Sequence, residues 1–584
     1  MKLTFTKSLE ELKSALSSLE GDWNETANMM TLRVGGGIMN WWQSTGRIQF
    51  QGKSAEKESL ESKVRHLLYP NEFSEPTQGA DQDAIETTEE ILEGSLTLSQ
   101  DSPELVFGMV SAVGTRSNRL TELLKERLSR SGYKTQEIRV SSLLAKVGDN
   151  FSEEYERIVE LMKRGDSLRE KSKNNAILAE GVAAEISRIR NNIAGDKKAY
   201  LINSLKRPEE VEFLRTIYGE GFFLIGLHCD EKRRLKNLES KGILQRQAVE
   251  LTEIDEDENA DFGQRTRDAY HRSDFFVNIG AHEDMITHAL NRFIDLVFGH
   301  PHKNPTFDEF AMFMAFAASI RSGDLSRQVG AVITKNQQII STGANECPQA
   351  GGGLYWAETD PKTGEITDKE RGKDSTRGQD ANKMEQQEIS NDIVNKLIKK
   401  GLFDVKETVS AIEAIKESRI SDLTEFGRAV HAEMEALISC SREGISTRNT
   451  NLYCTTFPCH NCAKHIIGAG LRRVVYVEPY PKSKALELHS DSIELKSELS
   501  GQEYENEEIE KVFFEPFTGV GSRRFLDLFS MSMGAGKKLK RKDSEGNAVE
   551  WNEQSATVRV PLLQKSYLEL EQAAAISYSK ATRP

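Results

Sequence analysis

The sequence predicts an α/β protein in three parts: a small α+β module at the N-terminus, a parallel-sheet domain, and an α/β/α three-layer domain on a mixed five-stranded sheet. Three observations carry this. Apolar runs at 105–110, 199–203 and 222–227, with a further strand at 274–278, alternate with helical spacing, the pattern of a parallel sheet covered by its crossover helices. A second set of strand-like runs, at 329–334, 338–343, 451–456, 472–477 and 512–517, lies among further helical stretches. Ahead of both, residues 71–103 are rich in Pro, Gln, Asp, Glu, Ser and Thr and poor in large apolar residues, which reads as a linker. The expected divisions are 1–70, the linker 71–103, a domain over 104–300, a domain over 301–535 with a polar insertion at 355–423, and a C-terminal extension over 536–584.

Bulk properties set limits on what such a chain does. Its 584 residues exceed what one core serves, and 77 basic against 91 acidic residues leave a formal net charge of -14. That balance argues against coating nucleic acid by general electrostatics, although a local basic patch stays compatible with it. The start Met1-Lys2-Leu3-Thr4-Phe5 does not read as a signal peptide, and no run is apolar over the roughly eighteen residues a membrane span takes. A cytoplasmic protein without a membrane partner is expected. Six cysteines are too sparse for a disulfide framework.

In the first module, residues 9–19 have the leucine spacing of an amphipathic helix, 29–34 and 46–51 read as strands, and 56–68 as a second helix. Trp41-Trp42 reads as core or interface, with a base-stacking platform as the alternative. Lys53 reads as solvated, with a phosphate contact as its alternative.

The run at 105–110 leads into Ser111-Ala112-Val113-Gly114-Thr115-Arg116-Ser117 and then a leucine-faced helix. Strand, glycine-containing loop and helix start form the arrangement in which backbone N–H groups meet an anion. Gly108, Gly114, Thr115 and Ser117 are therefore candidate nucleotide-binding residues. Over about 105–298 the chain resembles the nucleoside- and nucleotide-kinase branch of P-loop proteins. It lacks that pattern's lysine, and Asn203 stands where an acid would, so a nucleotide-sensing or structural domain is expected rather than an active kinase. The acidic run 253–261 reads as a solvated loop.

The chemistry concentrates further on, in His431-Ala432-Glu433 and Pro458-Cys459-His460-Asn461-Cys462. One imidazole and two thiolates supply three of the four ligands of a tetrahedral zinc, the fourth position being left for water. Glu433 is the neighbouring carboxylate able to move that water's protons. His-x-Glu followed by Pro-Cys-x-x-Cys resembles the signature of zinc-dependent nucleobase deaminases, with the Glu outside the metal shell. A redox pair would account for Cys459 and Cys462 but leave His-Ala-Glu unexplained. Both motifs fall at predicted helix starts, where His431 and Glu433 can reach one site only off the helix end. Pro458 is placed in the first turn of the second helix, and His460 is expected to point elsewhere.

From about 307 to 530 the chain resembles the deoxycytidylate deaminase branch of the cytidine deaminase superfamily. Asp324-Leu325-Ser326-Arg327-Gln328-Val329-Gly330-Ala331-Val332 is similar to its first strand, and Gly343-Ala344-Asn345-Glu346-Cys347-Pro348 to its Gly-x-Asn-x-x-Pro loop. By that resemblance Asn345 contacts the sugar, and Tyr480 is a candidate to sit against base or sugar. With Gly351-Gly352-Gly353-Leu354-Tyr355-Trp356, Val430-His431-Ala432-Glu433-Met434 and the run from Lys482 to Ser492, the span of about 105–575 is similar to the bacterial anti-phage deoxycytidylate deaminases. The resemblance implies Zn2+, free dCMP or dCTP as substrate, control by a small RNA or through a nucleotide at the P-loop-like domain, and a homo-oligomer. Ala344 stands where related enzymes often have Tyr, which speaks against the usual dCTP/dTTP allostery. Two alternatives stay open: a polynucleotide-editing deaminase, and a nucleotide or RNA sensor whose output is deamination. The basic run 537–542 reads as a solvated hairpin, with an RNA or phosphate contact as its alternative.

Overall fold

The computed structural model describes residues 9–16, 19, 21–26, 29–34, 36–42, 45–51, isolated positions from 57 to 68, and then 104–145, 149–190, 197–256, 263–280, 282–480, 483–496, 510–560, 571–572 and 574–579. The linker 71–103, Lys53, Lys482, most of the helix expected at 56–68 and the acidic run beyond 256 lie outside them. The chain divides into two compact units, residues 1–98 and 99–584.

In the first unit, helix α1 (Leu9–Ala15) precedes an antiparallel meander of β1 (Asp22–Thr26), β2 (Met29–Val34), β3 (Gly37–Trp41) and β4 (Ile48–Gln51). Strand alternation separates the two tryptophans: Trp41 joins Leu12, Leu32 and Met39 in the core, while Trp42 is half-buried with Arg47 6.0 Å from its ring centroid.

The second unit opens with β5 (Leu105–Ser111), α2 (Asn118–Arg130), β6 (Lys134–Arg139), α3 (Glu154–Ser172), α4 (Ile177–Arg190), β7 (Lys198–Leu205), α5 (Pro208–Tyr218) and β8 (Phe222–His228). Then come α6 (Glu231–Glu239), α7 (Gln245–Glu256), the short α8 (Thr266–Tyr270), β9 (Phe275–Asn278) and α9 (Glu283–Val297). The strands pair parallel in the order β6-β7-β5-β8-β9. Central β5 is buried at every residue, as its unbroken apolar run predicts. Edge strand β6 is Lys-Thr-Gln-Glu-Ile-Arg, and its charges both protect the edge and hide the strand from a hydrophobicity reading.

The second sheet follows α10 (Phe307–Ser319). Its first strands are β10 (Gly330–Lys335) and β11 (Gln338–Ala344). The insertion contributes the hairpin β12 (Ala357–Thr359) and β13 (Ile366–Asp368), then α11 (Asp374–Arg377), α12 (Ala381–Lys399) and α13 (Thr408–Lys416). Next are α14 (Ala432–Arg442), β14 (Asn451–Thr456), α15 (His460–Gly468), β15 (Arg473–Glu478), α16 (Ala485–Leu488), β16 (Ile493–Leu495) and β17 (Val512–Pro516). The sheet order is β11-β10-β14-β15-β17-β16, mixed as expected but of six strands rather than five. The added strand, β16, is a three-residue edge with only Ile493 buried, too short to show in a periodicity.

The two sheets are joined by more than a linker. Directly after β17, β18 (Gly519–Val520) leaves the second sheet and pairs antiparallel with β9, and α17 (Phe525–Phe529) follows. Glu309 of α10 accepts hydrogen bonds from Val520 N at 2.8 Å and from Arg292 of α9 at 2.7 Å. Tyr200, Phe222 and Phe276 share one core with Met312, Val332, Tyr453 and Phe517. Fully buried Arg524 donates to Phe222 O at 2.7 Å and lies 3.5 Å from Asp274. The C-terminal extension returns to the first sheet, where Arg559 N donates to Val297 O at 2.9 Å and Tyr218 Oη to Glu571 at 2.7 Å. Within it, Arg541 donates to Pro301 O at 2.9 Å and Lys542 bridges to Ala548, the hairpin reading of the basic run.

Candidate active site

Two helix starts come together, that of α14, which packs on β10 and β11, and that of α15, which follows β14. His431 is the N-cap of α14, with extended backbone (φ -67°, ψ 151°), and Cys459 is the N-cap of α15 (φ -66°, ψ 164°). Extended caps turn both side chains off their helix ends, the geometry that lets His431 and Glu433 face one point. Pro458 thus precedes the cap instead of occupying the first turn. Cys462 N–H donates to Cys459 Sγ at 3.5 Å, so cap and third helical residue are drawn to one side. His431 Nδ1 lies 3.4 Å from Cys459 Sγ and 3.3 Å from Cys462 Sγ, and the three ligand atoms fall within 4.8 Å of one another. A tetrahedral zinc about 2.3 Å from sulfur and about 2.0–2.1 Å from nitrogen places N and S about 3.5 Å apart. The donor set therefore fits that ion.

Burial and charge shape the same point. Hydrogen bonding from Cys462, then from His431, holds the Cys459 thiol down at about 4, whereas Cys462 is pushed well above its usual range by its bond to Cys459 and by burial. His431 is raised to about 9, chiefly by its bond with Cys459. Glu433 is buried, and burial followed by the Cys459 charge raises its carboxyl above the ordinary carboxylate range. Cys454, which the sequence reading gave no role, lies on β14 beside Glu433; burial, then that carboxylate, pushes its thiol well up.

The cluster borders a cavity of about 1360 Å³, larger than the roughly 300–1,000 Å³ of most small-molecule sites. Asn345 and Tyr480 both line it. The Asn345 side chain also holds the strand entrance: Val329 N–H donates to its Oδ1 at 2.7 Å, and its Nδ2 donates to Arg327 O at 2.8 Å. Tyr480 has the Arg327 guanidinium 5.9 Å from its ring centroid. His460 lines the cavity rather than pointing away, and its Nδ1 is buried without a hydrogen-bond partner among the described residues. The insertion forms one wall through Asp374, Asn382 and Leu423; Arg267 reaches the cavity from α8.

The loop at 111–117 is arranged otherwise. Val113 N–H donates to Asp255 Oδ2 at 2.8 Å, and Lys206 Nζ donates to Asp255 Oδ1 at 2.6 Å and to Ser111 O at 2.8 Å. Thr115 and Ser117 N–H groups are bonded within the loop, and Ser117 Oγ accepts from Asn203 Nδ2 at 3.1 Å. Thr115 Oγ1 is buried without a partner among the described residues. The two glycines are explained by packing. A Cβ on Gly108 would stand 2.7 Å from Phe222 Cζ, and one on Gly114, at φ +83°, 2.7 Å from Arg234 O. The strand, loop and helix expected around Gly108, Gly114, Thr115 and Ser117 are present, with Asp255 and Lys206 bonded to the loop.

A mixed sheet carrying His, Cys and Cys at two helix starts, with a buried Glu beside them, defines a hydrolytic deaminase of the zinc-binding cytidine deaminase class. The family model of the cytidine and deoxycytidylate deaminase zinc-binding region matches residues 305–478. The deoxycytidylate deaminase of Enterobacteria phage T4 is 31% identical over 175 residues, 29% of this chain and 77% of that protein. ComE operon protein 2 of Bacillus subtilis is 45% identical over 53 residues, 9% of this chain and 28% of that protein. Among solved structures, the dCMP deaminase of cyanophage S-TIM5 in apo form is 17% identical, covering 36% of this chain and 99% of that one, with a TM-score of 0.19. The chain belongs to the deoxycytidylate deaminase family.

Proposed function

We propose that the protein deaminates free deoxycytidine nucleotides, converting dCMP and dCTP to the deoxyuridine nucleotides and ammonia. One observation carries this: the His431, Cys459 and Cys462 triangle with buried Glu433 borders a cavity also lined by Asn345, Tyr480 and several cations. The deoxycytidylate deaminases among its relatives support the choice of substrate.

His431, Cys459 and Cys462 would hold the zinc. Bound there, the ion would supply a Lewis acid that lowers the pKa of a neighbouring water toward about 7. Glu433 takes a proton from the water that attacks C4 of the base and gives it to N3. It then passes the remaining hydroxyl proton to the departing amino group, so that the C4 carbonyl forms and ammonia leaves. Burial suits Glu433 to this shuttle, because raising its carboxyl above the ordinary carboxylate range makes it a stronger proton acceptor. Asn345, with an amide hydrogen and a lone pair remaining, positions the sugar, and Tyr480 packs against base or sugar.

The test is chromatography of the products formed from a mixed nucleotide pool, with and without chelator, beside a cytosine-containing oligonucleotide. Deoxyuridine nucleotides appear only without chelator. Conversion confined to the oligonucleotide would instead favour polynucleotide editing.

On the resemblance of 105–575 to the anti-phage enzymes, we further assign the protein the role of a homo-oligomeric effector. It depletes the deoxycytidine nucleotide pool during infection and is held in check by a small RNA or through the first sheet's half. Infected cells carrying the wild-type chain lose dCTP and give fewer phage, and Glu433→Ala abolishes both effects. Pools equal in the two strains would remove this role.

A further inference from the structure

The insertion at 355–423 walls the cavity on one side, and one of its residues, Asn382 at the start of α12, lines it with an amide engaged only at the nitrogen. We propose that Asn382 accepts a hydrogen bond from the 3′-hydroxyl of the substrate sugar, so that the insertion tells a free nucleotide from a cytosine inside a polynucleotide. This rests on the nucleotide reading above.

The orientation of the amide is fixed by its partner. Asn382 Nδ2 donates to Leu423 O at 2.7 Å, and because a carbonyl can only accept, the NH2 group is the one that faces it. That leaves Oδ1, which is buried and has no hydrogen-bond partner among the described residues. An unmet buried acceptor costs about 1–3 kcal/mol, so a donor arriving in the cavity that Asn382 lines gains by bonding to it. The acceptor is also held in place beforehand. Asp380 Oδ1 accepts Asn382 N–H at 2.8 Å, and Gln386 Nε2 donates to the same Leu423 O at 2.7 Å, which keeps the ordering cost of a bond to Oδ1 small.

The chemistry of the substrate selects the donor. A deoxycytidine nucleotide offers two, the amino group at C4 and the 3′-hydroxyl. The first is committed, since it takes a proton from Glu433 and leaves as ammonia, and a bond fixed on it would have to break during the reaction. The hydroxyl keeps its place throughout. The insertion also stands beside the residue assigned to the sugar: Cys347 Sγ donates to Asp374 Oδ1 at 3.7 Å and Lys373 Nζ lies 3.8 Å from Glu346, so residues 373–374 rest on the two positions after Asn345. Asn345 keeps an amide hydrogen and Asn382 an acceptor, and a hydroxyl uses both. Inside a polynucleotide the 3′-oxygen is esterified and carries no hydrogen, so Oδ1 would stay unmet beside it, and a site built on such a bond rejects a ligand that lacks it.

The test pairs a change in the enzyme with a change in the ligand. Full-length wild type, N382A and N382L, the last close to asparagine in shape, are compared by kcat/KM on dCMP and on 2′,3′-dideoxycytidine monophosphate, which lacks only the 3′-hydroxyl. Wild type prefers dCMP by about tenfold or more. In the variants that preference shrinks about threefold or more, through loss on dCMP alone, and zinc content stays at the wild-type level. Q386A loosens the same contact with Leu423 but leaves Oδ1, and it keeps the wild-type preference. The proposal is overturned if wild type does not discriminate, if the variants lower both substrates by one factor, if Q386A loses the preference as well, or if neither Asn382 variant holds zinc. Wild type that deaminates an internal cytosine of an oligonucleotide but not dCMP would overturn the nucleotide reading and this inference together. Wild type active on dCMP, with the preference unchanged in both Asn382 variants, would overturn the inference alone.

Discussion

Two places in the second unit bring polar residues to the start of a helix, and the chain treats them in opposite ways. At 111–117 the loop's own carboxylate partner, Asp255, accepts the Val113 N–H and takes the charge of Lys206. At His431, Cys459 and Cys462 the three ligand atoms lie together, and His431, Cys459 and Glu433 line a large cavity. The first arrangement bonds Val113 N–H and Lys206 to a residue of the fold itself, while the second gathers its side chains beside a cavity. A helix start is thus only an opportunity. Whether it becomes a site depends on what the rest of the fold brings to it, here an aspartate 142 residues away from Val113.

The sharpest way to break this contrast is at the metal-type site. Chelation, or Cys459→Ser, should remove bound zinc and deamination together, read by elemental analysis beside product formation. Activity indifferent to chelator would return Cys459 and Cys462 to the redox-pair reading. Next in size, Glu433→Ala should lower kcat by about 10²–10⁴-fold or more while zinc stays near stoichiometric, because only the proton carrier is lost. Retained turnover would exclude Glu433 from that role.

At the loop the expected effect is on stability. Asp255→Ala leaves Lys206 without its carboxylate and Val113 N–H without its acceptor, and should cost about 3 kcal/mol in a denaturant titration with little change in zinc content. If the variant instead matched wild-type stability and wild type bound ATP at a site lost in Gly114→Val, the loop would belong with the ligand-binding site.

The smallest effect concerns the joint between α10 and the second sheet. Although burial opposes it, paired bonds from Arg473, at 3.0 and 2.8 Å, and one from Tyr453 hold the Asp308 carboxyl below its ordinary value. A depressed pKa adds stability that is complete above the unfolded value of about 3.9 and disappears as pH falls through the folded one. Wild type should therefore lose Tm more steeply than Asp308→Asn below about pH 4. Equal slopes would show that the pair contributes nothing.

Much of this was legible beforehand because it is local. β5, β8 and β15 announce themselves by apolar runs, and α10 by its spacing. The His-x-Glu and Pro-Cys-x-x-Cys motifs are short enough for side-chain chemistry and spacing alone to suggest one ion. The charged edge strand β6, the three-residue β16 and the crossing strand β18 carry no such signal, since their pairing depends on neighbours rather than on their own apolarity. Nor did any pattern mark Arg267, which lies in the half of the unit away from both motifs in sequence.

By itself, then, the sequence determined which chemistry the protein carries: an imidazole, two thiolates and a carboxylate at fixed short spacings, with alternating strands and helices to mount them. Only the tertiary structure decided which helix start borders a cavity, which has Asp255 bonded to its loop, and which distant cations share the cavity walls. The physical reason is that spacing along a chain fixes which groups neighbour one another within a turn or two of helix. Burial, charge pairing and access are set by contacts between segments hundreds of residues apart.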